Sequence, residues 1–121
     1  MTLVDASVWI DHFRGGSASR PLPELLEAGD VAVHPFVHGE LALGHLGRHR
    51  DRILRDLATL PRLGVIPDAD VLAFVEMHHL AGSGIGWIDA HLLAAALHAR
   101  ASLWTLDRPL ARVAARLGVD V

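Results

Sequence analysis

Two acidic residues directly follow short apolar runs that have the pattern of buried strands. Asp5 comes after Leu3-Val4, and Asp107 comes after the run from Ser102 to Leu106. In an open parallel sheet, ligands bind at the carboxyl ends of the strands, so both acids are candidates for a functional site. Each also has a structural explanation, because aspartate at such a point is a common N-cap of the following helix.

Two further acids lie in predicted helices that have apolar side chains on the same face. Asp89 is in the first turn of a helix predicted over 87–100, with apolar residues at i+3, i+4 and i+7. Glu40 has Phe36 one turn before it and Leu43 one turn after it. The helix dipole favours an acid in a first turn, and a glutamate is usually solvated. At the rim of a core, however, a carboxylate is costly unless it is paired or bound to a metal.

Asp5, Glu40, Asp89 and Asp107 suggest a metal site if the fold brings them together. Clustered carboxylates repel one another, so they bind protons or hold cations. Oxygen ligands select hard ions, and the chain has no cysteine, so the expected cofactor is Mg²⁺, with Mn²⁺ as a substitute. A carboxylate cage of this kind is typical of enzymes that hydrolyse phosphodiesters with a metal-activated water.

The nine histidines offer a second type of metal site. His34 with His38, and His45 with His49, have a spacing that can place two imidazoles on one helix face. Structural zinc normally has four protein ligands, and no third ligand is evident near either pair. Zinc is therefore the weaker hypothesis.

Short apolar strands alternate with predicted helices along the whole chain. Strands are predicted at 3–4, 31–33, 65–66, 102–106 and 119–121, and helical segments at 7–10, 21–28, 35–46, 48–60, 68–80, 87–100 and 109–117. Such alternation is typical of a parallel sheet covered by helices on both faces. We expect a three-layer α/β/α sandwich with a central, mainly parallel sheet of about four to five short strands. Residues 1–121 should form this single domain.

Composition excludes several classes of protein. The chain has 121 residues, a net charge of −3 and 51% hydrophobic residues, and all 11 basic residues are arginine. Without lysine it is not a P-loop NTPase of the usual kind, and a phosphatase that uses Asp5 as nucleophile is disfavoured. No apolar run could span a bilayer and no signal peptide is evident, so we expect a cytoplasmic protein. Apolar side chains left exposed on so small a domain predict an oligomer or a protein partner.

Four segments, in order along the chain, resemble the PIN-domain ribonucleases. They are the run from Leu3 to Ile10, Gly39-Glu40-Leu41, the run from Gly84 to Ala94, and Thr105-Leu106-Asp107. The resemblance covers nearly the whole chain and is greatest to the VapC-type toxins of bacterial toxin–antitoxin pairs. It implies a PIN-like fold and a metal-dependent endoribonuclease that cleaves structured or single-stranded RNA.

The resemblance also implies partners and residue roles. It implies a homodimer, inhibited by a VapB-like antitoxin whose tail covers the active site. Asp5, Glu40 and Asp89 match the best-defined acidic positions of the family, and Asp107 matches a fourth that is more variable in contacting metal. Ser7 and Thr105 match hydroxyl positions that support the acids.

Two arginines lie nearest the expected site. Arg108 follows Asp107, and Arg14 follows the first helical segment. A guanidinium group binds phosphate through two hydrogen bonds, so either is a candidate contact for RNA; the alternative is an ordinary surface charge. An alternative to the whole functional hypothesis is a catalytically inactive PIN-like module that only binds a partner or RNA.

Overall fold

The computed structural model describes residues 1–121, which form three β-strands and seven α-helices. The strands are β1 (Thr2–Val4), β2 (Val31–Ala32) and β3 (Ser102–Trp104). The helices are α1 (Ala6–Phe13), α2 (Leu22–Glu27), α3 (Pro35–Leu43), α4 (Arg50–Ala58), α5 (Asp68–Met77), α6 (Trp87–Ala99) and α7 (Arg108–Arg116). A short 3₁₀ helix, Gly47–His49, precedes α4.

The strands form one parallel sheet in the order β2-β1-β3. β1 pairs with β3 so that Val4 lies opposite Trp104, and with β2 so that Leu3 lies opposite Ala32. β1 and β2 are entirely buried, which requires helices on both faces of the sheet. The predicted α/β class, with a parallel sheet among helices, is confirmed.

The sheet has fewer strands than the four to five that the sequence predicts. Its edges are continued only by single parallel bridges, Val33 with Arg62 and Leu103 with Asp120. The strand predicted at 65–66 is wrong, because Val33 binds Pro61 and Leu63 instead, through hydrogen bonds of 2.8 and 3.0 Å. After Leu63 the chain leaves the sheet, and Val65 is exposed.

The core lies between the sheet and the apolar faces of the longest helices. α6 is buried from Ala90 to Ala96, which explains why its sequence is apolar almost all round. α7 is two-faced, since Leu110, Val113 and Ala114 are buried while its arginines are exposed. No helix is both long enough and apolar enough to cross a membrane. The core thus fixes the directions in which α6 and α7 leave the sheet edge.

Candidate active site

Asp5 lies at the carboxyl end of β1, where it begins α1. Its backbone N–H donates to the carbonyl of Trp104 at 2.9 Å, which continues the pairing of β1 with β3. Its Oδ1 accepts a hydrogen bond of 2.8 Å from the N–H of Ala6, so Asp5 is the N-cap of α1. The residue is only 8% exposed. The capping explanation is therefore correct, but it uses only one carboxylate oxygen.

Two hydroxyl groups hold the second oxygen of Asp5. Oδ2 accepts from Ser7 Oγ at 2.8 Å and from Thr105 Oγ1 at 2.7 Å. Ser7 Oγ in turn accepts from the N–H of Leu106 at 3.0 Å, and Thr105 Oγ1 accepts from the N–H of Asp107 at 3.0 Å. Two of these bonds, from Thr105 to Asp5 and from Leu106 to Ser7, join residues about 100 positions apart, and the network fixes the orientation of the carboxylate.

Asp107 lies beside this network and begins α7. Its Oδ2 accepts a hydrogen bond of 3.0 Å from the N–H of Leu110, so it is the N-cap of the helix. The Thr105 hydroxyl links its backbone to Asp5, so the two acids share one edge of the sheet. The strand-end positions in the sequence predicted this neighbourhood.

Glu40 and Asp89 approach the same edge from α3 and α6. Burial raises the pKa of Glu40, and the negative charges of Asp5 and Asp89 raise it further. Burial also raises the pKa of Asp89, and the charges of Asp5 and Asp107 raise it further. The hydrogen bond of 3.0 Å that Asp89 Oδ2 accepts from the N–H of Gly86 lowers this pKa and so opposes them. Carboxylates that perturb one another in this way share one electrostatic neighbourhood.

None of the four acids has a cationic partner within the chain. The ion pairs of the protein join Met1 to Asp30, Arg52 to Asp56 and His91 to Asp68. No guanidinium, imidazole or ammonium nitrogen therefore lies within 4.0 Å of any of the four carboxylates. This is the electrostatic signature of a site that binds cations or protons.

Similarity to known proteins agrees with this geometry. The profile of the PIN domain matches residues 2–116. The chain belongs to the PIN-domain family. Ribonuclease VapC32, from two strains of Mycobacterium tuberculosis, is 43% identical over 120 residues, which are 98% of this chain and 94% of that protein. The resemblance of the sequence to VapC-type PIN-domain proteins is confirmed.

A solved structure shares the fold of this PIN domain. The crystal structure of PAE2754 from Pyrobaculum aerophilum matches with a TM-score of 0.64 and covers 93% of this chain and 83% of that protein. The two sequences are 19% identical, so this likeness concerns the fold alone. It agrees with the parallel sheet and helices described above.

The acids of this PIN domain are near one another but do not form a closed cage. No group of three or more His, Asp or Glu side chains is arranged to hold a metal ion as it stands. Asp107 and Asp89 each direct one oxygen to a backbone N–H, which leaves the other oxygen of each carboxylate without a hydrogen bond. The donor set still fits a hard divalent cation, because it consists of carboxylate oxygens without cationic partners.

The first histidine pair of the zinc hypothesis, His34 and His38, makes contacts within the chain. His34 is buried and begins α3, with its Nδ1 accepting a hydrogen bond of 3.0 Å from the N–H of Phe36. Burial, and then the charges of His91 and Arg62, lower the pKa of His34 to about 4, which keeps this nitrogen free to accept. His38 lies 3.3 Å from the guanidinium of Arg62.

The two candidate RNA-binding arginines lie at different distances from the acids along the chain. Arg108 is exposed in the first turn of α7, directly after Asp107. Arg14 is exposed at the C-terminal end of α1, whose N-terminal end is Asp5. At a rise of about 1.5 Å per residue, α1 separates Arg14 from Asp5 by roughly 13 Å.

No sequence pattern predicts the contact between His91, which is buried, and Asp68, which is exposed. His91, two residues after Asp89, is completely buried, and its Nε2 lies 3.2 Å from Asp68 Oδ1 at the start of α5. The geometry does not make this a hydrogen bond, and both ring nitrogens lack hydrogen-bond partners. The His91 ring packs edge-on against Phe36 and Trp87, with centroids 4.9 and 4.8 Å away. His91 thus joins α6 to α3 and α5.

Proposed function

We propose that this chain is a divalent-metal-dependent endoribonuclease and the toxin of a toxin–antitoxin pair. The observation that carries this proposal is the convergence of four carboxylates without a cationic partner, two of which have raised pKa values. Its relative at 43% identity is named a ribonuclease, and that similarity extends over 98% of this chain. The substrate we propose is structured or single-stranded RNA.

In this proposal Asp5, Glu40, Asp89 and Asp107 hold Mg²⁺, or Mn²⁺ in its place. The bound cation would supply positive charge that stabilises a phosphodiester during hydrolysis. The chain's own contribution is orientation: the Ser7 and Thr105 hydroxyls fix one oxygen of Asp5 through bonds of 2.8 and 2.7 Å. Such supporting hydrogen bonds commonly tune metal ligands.

Arg108 and Arg14 are proposed contacts for RNA phosphates, and the position of Arg108 beside Asp107 favours it of the two. The proposed partners are a VapB-like antitoxin and a second copy of the chain, in the cytoplasm. Several large apolar side chains are exposed, including Leu43 at 91% and Met77 at 71%, which supports a protein partner. Light scattering of the purified protein would give the oligomeric state.

The test is cleavage of a labelled RNA by the wild type and by Asp89→Asn, with Asp70→Asn as the control. Asp70 is an exposed acid in the first turn of α5, so the control removes the same charge from a comparable position. Asp89→Asn should lose activity by about 100-fold or more, because even groups that only support metal ligands are worth about 10–100-fold. The control should retain full activity, and both variants should keep the circular dichroism of the wild type.

Metal dependence needs its own measurement. We expect cleavage to stop in EDTA and to return with Mg²⁺ or Mn²⁺, and calorimetry to detect Mn²⁺ binding that Asp89→Asn weakens. Full activity in EDTA would contradict the metal-dependent mechanism. A folded protein that neither binds Mn²⁺ nor cleaves RNA would instead be the catalytically inactive binding module.

A further inference from the structure

Three arginines form an exposed row along α7. Arg108, Arg112 and Arg116 recur every four residues and therefore lie on one face of the helix. The opposite face, with Leu110 and Val113, is buried in the core. Successive arginines are about 6 Å apart along the helix axis. The row holds three of the 11 basic residues of the chain.

The charge of this row is not offset by the protein. No carboxylate lies within 4.0 Å of any of the three guanidinium groups, although the chain has 14 acidic residues. Their side chains form one hydrogen bond within the chain, in which Arg116 Nη2 donates to the carbonyl of His78 at 3.2 Å. Arg108 lies in the first turn, where the helix dipole disfavours a cation. The helix dipole therefore favours Arg116, which lies in the last turn, but does not explain Arg108.

A cleft of about 310 Å³ runs between α7 and the segment that follows α5. Arg112 and Arg116 line one side, and His79 and Ser83 line the other. The Ser83 hydroxyl is buried and has no hydrogen-bond partner. Buried polar groups of this kind are normally satisfied by water or by a ligand. The cleft thus has unpaired positive charge on one side and, in its other wall, a serine whose buried hydroxyl is unsatisfied.

The row and its cleft are continuous with the acidic site. Asp107 is the N-cap of α7, and Arg108 is the first residue of the helix. The far wall of the cleft approaches α7 at Gly84, where an added Cβ would lie 3.4 Å from the Cβ of Pro109. Gly84 has a φ of +88°, a backbone conformation that favours glycine at this point. Two residues later the same segment reaches Gly86, whose N–H binds Asp89 at 3.0 Å.

We propose that Arg108, Arg112 and Arg116 form a binding track for the phosphodiester backbone of single-stranded RNA, leading along α7 from the acidic site. This inference rests on the proposed function, since it names where the substrate of that site lies beyond the scissile bond. Exposed arginines without acidic partners bind phosphates by displacing counterions, independently of base sequence. The acids repel a phosphate chain, and a track of arginines beside them offsets that repulsion.

The experiment measures binding of a fluorescein-labelled 12-nucleotide oligouridylate in EDTA, by fluorescence anisotropy at several NaCl concentrations. The variant is Arg112→Ala/Arg116→Ala, and the matched control is Arg20→Ala/Arg55→Ala, which removes two exposed arginines that form no ion pair. Two lost phosphate contacts should lower the slope of log affinity against log salt by about 1.4, or about 25-fold in affinity at 0.1 M NaCl. The control should bind like the wild type.

A single substitution distinguishes a loss of RNA binding from a loss of folding. Arg112→Ala breaks no hydrogen bond within the chain, and it should lower the slope by about 0.7 and the affinity about fivefold at 0.1 M NaCl. With Mg²⁺ and a long RNA, the double variant should raise KM and leave kcat unchanged, because α7 contacts the strand away from the scissile bond.

Other outcomes overturn the track. Equal losses in the double variant and its control would show that only net charge matters. Wild-type affinity in the α7 variants, with RNA cleavage intact, would refute the track while leaving the proposed function standing, and would point to an acidic protein as the occupant of this face. Failure of the wild type to cleave RNA in Mg²⁺ would refute the proposed function itself.

Discussion

Replacing Thr105 by valine should lower the thermal stability of the protein, because Asp5 loses a hydrogen bond. Valine has nearly the shape of threonine, so the substitution removes the hydroxyl and little else. That hydroxyl donates to Asp5 Oδ2 at 2.7 Å and accepts from the N–H of Asp107 at 3.0 Å. After the change, Oδ2 of the buried carboxylate accepts only the hydrogen bond from Ser7. The N–H of Asp107 must then donate to water instead of to Thr105.

The size of the effect follows from the charge and the partial exposure. A hydrogen bond to a charged group contributes about 1.5–3 kcal/mol. Thr105 is half-buried, so water can partly replace its hydroxyl, and we take the lower end, about 1.5 kcal/mol. For 121 residues the unfolding entropy is about 0.25 kcal/mol/K, so Tm should fall by about 6 °C.

The assay is thermal unfolding followed by circular dichroism at pH 7 in EDTA, beside two controls. Thr105→Ser keeps the hydroxyl and should lose less than half as much stability as valine. Thr59→Val removes an exposed hydroxyl that donates to a neutral carbonyl, that of Asp56, and should change Tm by no more than about 2 °C. Equal losses for Thr105→Val and Thr105→Ser would refute the role given to this hydroxyl.

Two further predictions concern the acidic residues Glu40 and Asp68. Glu40→Gln should raise Tm at pH 7 in EDTA, because the raised pKa of Glu40 means that the stability from its protonated form is lost as pH rises through that pKa. This gain should disappear below pH 4.5, the ordinary value, and a loss of Tm at pH 7 would contradict it. Asp68→Ala should lower Tm by about 2 °C more than Asp70→Ala, because only Asp68 lies within ion-pair distance of His91 and an exposed pair contributes about 0.5 kcal/mol. Identical melting curves would show that this pair contributes nothing.

The sequence predicted the fold wherever a local pattern carries the information. Apolar runs placed β1 and β3, and the strand-end rule placed Asp5 and Asp107 at one sheet edge. The strand expected at 65–66 failed, because a run of two apolar residues cannot show which residue pairs with Val33. That pairing is decided by the carbonyl of Pro61 and the N–H of Leu63, and neither depends on side-chain type.

The proximity of the four acids could be predicted from the sequence, and the hydrogen bonds that hold them less so. Apolar neighbours on one helix face directed attention to Glu40 and Asp89, and the structure places both near Asp5. The hydroxyls of Ser7 and Thr105 were expected only from a resemblance, because their contact with Asp5 bridges distant positions. The contact of His91 with Asp68 has no local periodicity, since it joins the starts of two helices 23 positions apart.

The double use of Asp5 has a practical consequence for producing the protein. One carboxylate oxygen begins α1 and the other faces the hydroxyl pair, so truncation to alanine would remove a helix cap together with a charge. An N-cap is worth about 1 kcal/mol, and asparagine serves as well as aspartate in that position. On the function proposed above, Asp5→Asn is therefore the substitution expected to abolish RNA cleavage while keeping the cap of α1.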